Sequence, residues 1–153
     1  MSISVQELSR VISGLQRLKL KSKTGDYFNN QLLQDPQRIL RFARESRRRV
    51  APEQEKVILG AGAKVVEQYM KDMEIKEWEE AEPILAQETQ SALWYSLLSK
   101  KPFPEGEKAI ASVAKAAWVY ATEVLKKRFP EGEPVIQSKP GFWEAYKNFF
   151  GVQ

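Results

Sequence analysis

The chain reads as an all-α protein, a single-domain bundle of five to seven helices, on three observations. Apolar residues recur at steps of three and four through most of its length, and caps and prolines stand before the periodic stretches. Beyond a Pro134-Val135-Ile136 stub, no alternating run suggests a strand. At 153 residues, 42% hydrophobic and 29% charged, the chain has the size of one domain, which buries about 70% of its unfolded surface.

Taken in order, Ser4-Val5-Gln6-Glu7 has capping-box spacing, and Val5, Leu8, Ile12, Leu15 and Leu18 then form one apolar stripe to about Leu20. A loop with Lys19, Lys21 and Lys23 follows, with a short helical segment around Tyr27 to Gln34. Asp35-Pro36 starts a helix expected to reach Val50, since Asp caps and Pro is pre-set for the first helical position. Its inner stripe is Ile39, Ala43, Ser46 and Val50, and its arginines gather on the other side. Pro52 opens a helix expected to run to Glu74, in which Gly60 and Gly62 suggest close approach of another backbone. An acidic connector from Glu74 to Glu82 leads through Pro83 into a helix with Leu85, Ala92, Leu93, Leu97 and Leu98 inward. The strongest helix is expected from Gly106 to Arg128, with Ile110, Val113, Ala114, Ala117, Ala121, Val124 and Leu125 inward. Phe-Pro-Glu-Gly-Glu occurs at both ends of it, Phe103 to Glu107 and Phe129 to Glu133, and reads as one turn solution used twice rather than as a domain repeat. The whole of 1–153 forms one domain in this reading, and an aromatic segment from about 140 to 153 docks on the bundle or on a partner.

The inventory narrows function. The chain has no cysteine and no histidine, which removes disulfides, thiolate and imidazole metal sites, and every catalytic pair built on either side chain. No enzyme activity, metal or cofactor is expected. The N-terminus lacks a basic segment followed by an apolar one, and no run of 18 apolar residues exists, so a cytoplasmic protein without membrane contact is expected.

Charge is polarised along the chain. Residues 1–50 hold 11 basic against 4 acidic side chains, residues 51–100 hold 5 against 10, and residues 101–153 hold 8 against 6. A concentrated basic surface attracts polyanions. The candidate nucleic-acid-binding set is therefore Arg38, Arg41, Arg44, Arg48 and Arg49, with Arg47 beside them and Lys19, Lys21 and Lys23 on the preceding loop. Guanidinium forks engage phosphate bidentately, and counterion release supplies salt-sensitive affinity. Within Pro36 to Val50 the only acid is Glu45, so repulsion among the arginines has no local compensation; docking onto the acidic connector is the alternative.

Other constellations carry less. Glu74, Glu77 and Glu82 could share Mg²⁺, but a solvated charge run is the preferred reading, and Gly60-Ala61-Gly62-Ala63-Lys64 lacks the residues of a phosphate loop. Trp94, Tyr95, Trp118, Tyr120, Phe142 and Tyr146 stand at helical spacings that suit a core, although aromatics also stack on unpaired bases. Trp143, Phe149 and Phe150 are candidates for binding a partner protein, because adjacent phenylalanines cannot both face inward.

An all-helical basic chain of this size, with an arginine-faced helix near its start and no catalytic inventory, resembles the small subunit of CRISPR effector complexes. That resemblance implies a non-catalytic subunit stacking with copies of itself and with other subunits of a ribonucleoprotein. Its Arg38-to-Arg49 face, and Lys19, Lys21 and Lys23, would hold nucleic-acid backbone without reading sequence. The other reading is a helical adaptor that binds proteins through the aromatic C-terminus and the acidic connector.

Overall fold

The computed structural model describes residues 4–10 and 34–153, and all regular structure among them is helical. The Glu7 N–H donates to Ser4 Oγ at 3.2 Å and the Ser4 N–H to Glu7 Oε2 at 3.1 Å, the reciprocal cap that the spacing predicts. Most of the Val5-to-Leu20 stripe, the lysine loop and the segment around Tyr27 lie outside the described residues.

Helix α1 (Pro36–Ser46) begins as expected, with Asp35 Oδ1 accepting from the Gln37 N–H at 3.0 Å. Ile39, Leu40 and Ala43 are buried on its inner face. It stops earlier than expected, at Arg47, whose φ of 52° is left-handed. Val50 thus belongs to the next element.

From Val50 onward the chain builds one unit over and over. The first unit holds α2 (Pro52–Gly60) and α3 (Ala63–Asp72). In the second, a 3₁₀ turn at Glu79–Ala81 runs into α4 (Glu82–Leu85), followed by α5 (Thr89–Ser99). The third has a 3₁₀ turn at Pro104–Gly106, α6 (Glu107–Ile110) and α7 (Ala114–Val119), which continues as a π turn over Tyr120–Leu125. The fourth has α8 (Glu133–Gln137) and α9 (Pro140–Phe150). Each is a short helix, a bend and a second helix, and the main packing runs within a unit or between consecutive ones. Such stacks of similar units are quasi-one-dimensional.

Two long helices of the sequence reading are therefore split. Gly62, at φ 99°, ends one helical run and starts another. A Cβ at Gly60 or Gly62 would meet nothing within 4 Å, so no neighbour approaches either glycine, and Gly62 serves the bend. In the third unit Val113 is extended, at φ −127° and ψ 122°, and caps α7, which leaves it 45% exposed rather than inward.

What makes the units equivalent is a tyrosine on the second helix. Tyr69 accepts from the Val50 N–H at 3.0 Å and donates to Glu55 at 2.9 Å. Tyr95 does the same with Trp78 (3.1 Å) and Glu82 (2.8 Å). Tyr120 takes the N–H of Phe103 at 2.8 Å and reaches Glu107 at 2.8 Å, and Tyr146 takes that of Phe129 at 2.8 Å and reaches Glu133 at 2.9 Å. Three residues beyond each glutamate stands a fully buried aliphatic side chain: Ile58, Leu85, Ile110 or Ile136. The first three tyrosine rings also pack on the aromatic opening the next unit, Tyr69 on Trp78 at 5.5 Å, Tyr95 on Phe103 at 5.0 Å and Tyr120 on Phe129 at 5.1 Å between centroids. An aromatic spine thus links unit to unit.

The two Phe-Pro-Glu-Gly-Glu sequences are accordingly the openings of the third and fourth units, which corrects their reading as a turn used twice. Their first residue supplies both the spine ring and the N–H that the tyrosine caps.

Candidate nucleic-acid interface

The arginine face of α1 divides in two. Arg44 reaches Asp72 Oδ2 on α3 with Nε at 3.2 Å and Nη2 at 3.0 Å. Arg38 lies 3.4 Å from the capping Asp35, in an exposed pair of small energetic weight. Arg49 donates to Glu55 at 2.8 Å and lies over the Trp78 ring at 5.8 Å. The acidic connector, the alternative docking surface for this face, contributes none of these carboxylates.

Arg49 has a counterpart that explains it. Arg128 stands just before Phe129 as Arg49 stands just before Val50, and it donates to Glu133 at 2.8 and 2.9 Å. In both units arginine, glutamate and tyrosine form one set. Arg128 first of all, with the Tyr146 hydroxyl assisting against burial, holds the Glu133 carboxyl below its ordinary range. Arg49 is thus engaged by its own unit, which it helps to close.

Arg41, Arg47 and Arg48 are exposed and have no ion-pair partner among the described residues. They are what remains of the predicted arginine set for an external anion. Lys19, Lys21 and Lys23 lie outside the described residues.

Equivalence of the units also brings together basic residues that the helix-wheel reading missed. Arg47, Lys100 and Lys126 are the left-handed residues that end α1, α5 and the π turn, at φ 52°, 55° and 52°. Each stands three positions before a unit opening, at Val50, Phe103 or Phe129. Arg47-Arg48, Lys100-Lys101 and Lys126-Lys127 therefore recur on the same edge of the stack. Lys101 pairs with Glu77 at 2.7 Å, while Lys100, Lys126 and Lys127 are exposed without an ion-pair partner among the described residues. At the remaining turn the left-handed residue is Glu74, followed by Lys76 and Glu77, so the basic edge is interrupted once. The signal in the sequence was a basic run placed just before each of three openings: Arg-Arg-Arg-Val, Lys-Lys-Pro-Phe and Lys-Lys-Arg-Phe.

The other candidates are dispersed. Glu77 binds Lys101 and Glu82 accepts from Tyr95, and no group of three or more metal-ligating side chains occurs among the described residues. Of the C-terminal aromatics, Trp143 stacks on Tyr146 at 5.6 Å and 17°, and Phe150 packs on Tyr146 at 4.8 Å. Both are half-buried parts of the core, whereas Phe149 is 58% exposed. Tyr95, Tyr120 and Tyr146 are committed to the spine, which leaves them no face for a base. No helix among the described residues is long and apolar enough to cross a membrane. Comparison with protein-family models, with curated proteins and with solved structures finds no match to this chain.

Proposed function

We propose that this chain is a non-catalytic scaffold of stacked helical units that binds the phosphate backbone of nucleic acid without reading sequence. In its most specific form the reading is that of a small subunit of a CRISPR-type ribonucleoprotein. Other subunits, copies of itself included, would meet it at the C-terminal end, where Phe149 stands exposed. The observation that carries the reading is that Arg47 and Arg48 are exposed and have no carboxylate within ion-pair distance among the described residues. Guanidinium groups left open in this way suit phosphate, and backbone contacts of this kind position a strand without discriminating bases.

The test is a titration of fluorescently labelled oligothymidylate and of a mixed-sequence strand, followed by anisotropy, between about 50 and about 200 mM salt. Affinity is expected to fall steeply with salt and alike for the two strands. Arg47→Ala combined with Arg48→Ala is expected to weaken both equally. Absent or salt-insensitive binding overturns the reading.

A further inference from the structure

We propose that the polyanion runs along the edge formed by the turns between units, held by Arg47 and Arg48 at the first turn and by Lys100, Lys126 and Lys127 at the last two, and not along the outer face of α1. This rests on the nucleic-acid reading and deepens it by moving the line along which the strand is held. Equivalent positions in stacked units fall on one edge, so residues far apart in sequence form one row there. The backbone geometry at these turns makes the choice of residue informative. A left-handed residue at a helix end favours glycine, because a side chain there costs about 1–2 kcal/mol. In the fourth unit that place is taken by Gly151 at φ 66°. At three other turns the chain instead places Arg47, Lys100 and Lys126 in that conformation, followed at two of them by a second basic residue without an ion-pair partner among the described residues, Arg48 and Lys127. Acids also stand near these turns: Glu45 and Glu53 at the first, the cluster Glu74, Glu77, Glu79 and Glu80 at the second, Glu105 at the third, and Glu123 and Glu131 at the fourth. The strand therefore engages two basic blocks separated by one acidic turn.

Lysines at these positions also complement the helix dipole, and the experiment separates that role from binding. In the full chain, Lys100→Gly, Lys126→Gly and Lys127→Gln are combined, and a second variant carries Arg38→Gln with Arg41→Gln. Both are compared with the unaltered chain by oligothymidylate anisotropy against salt and by thermal unfolding. The turn variant is expected to unfold at the same temperature or higher, since glycine relieves the left-handed residues. Its slope of log affinity on log salt is expected to be shallower by roughly 0.7 for each phosphate no longer neutralised, or about 2 in all. The proposal is overturned if the turn variant binds as the unaltered chain does while the α1 variant loses binding. It is equally overturned if the turn variant only unfolds earlier and still binds normally, the mark of a purely structural role. If the unaltered chain fails to bind at low salt, the nucleic-acid reading itself falls, an outcome distinct from both.

Discussion

A buried hydroxyl that accepts a backbone proton and gives its own to a carboxylate fixes three pieces of chain at once, and four of the five tyrosines do this. Burial pushes the Tyr95 hydroxyl up to about 12; Glu82, which takes its proton, pushes the same way against the opposing Trp78 N–H. Burial raises Tyr69, Tyr120 and Tyr146 as well. A group whose folded pKa lies above its unfolded value of 10.0 contributes stability that is whole below that value and is lost as pH climbs through the folded one. Tyrosinate absorbance and helical circular dichroism are therefore expected to change together, only above about pH 10; ionisation of these tyrosines with helicity intact would contradict this bonding. At this scale the sequence was legible where partners are close in the chain: the Ser4–Glu7 box and the Asp35 cap act across two or three residues. The engagement of Arg49 was not legible because its partners, Glu55 and the Trp78 ring, become neighbours only once the chain has folded.

Helices were legible as a class and not in their limits, because apolar periodicity survives a bend that keeps the same face inward. The break at Val113 and the αL residues at Arg47, Lys100 and Lys126 leave little trace in periodicity. The π turn shows the same tolerance: Lys126 stands six positions after Tyr120, whereas Lys100 stands five after Tyr95, so the wider turn absorbs one extra residue. The glycines of the openings are set by packing. A Cβ on Gly106 would lie 2.5 Å from the Phe103 ring and 2.8 Å from Ala92 Cβ, and one on Gly132 would lie 2.5 Å from Phe129 and 2.7 Å from Ala117 Cβ. Neither alanine can move without its helix. Gly106→Ala and Gly132→Ala are each expected to cost about 1–3 kcal/mol by overpacking, measured by urea unfolding; an unchanged midpoint would mean that the units are joined more loosely than these distances require.

At the scale of the molecule, the units meet small residue to small residue along an aromatic spine. Ala92 and Ala117, three residues before their tyrosines, receive Gly106 and Gly132 of the next unit. Trp143 holds the corresponding place before Tyr146, and Phe150 covers that tyrosine ring. The all-helical architecture was plain from the sequence, yet the repetition was not, since Trp-Glu-Glu-Ala-Glu at Trp78 and Val-Ala-Pro-Glu-Gln-Glu at Val50 disguise the motif that Phe103 and Phe129 open. Matching the tyrosines 25 or 26 residues apart would have exposed it. The central claim is that each unit is closed by its own tyrosine, and amide hydrogen exchange at the opening residues tests it most directly. In the unaltered chain the N–H groups of Trp78, Phe103 and Phe129 are expected to exchange slowly. Tyr120→Phe, which leaves a buried donor and a carboxylate unpaired at a cost of about 1–3 kcal/mol, is expected to speed exchange at Phe103 far more than at Trp78 or Phe129. Fast exchange at all three in the unaltered chain, or equal acceleration at all three in the variant, would contradict that claim.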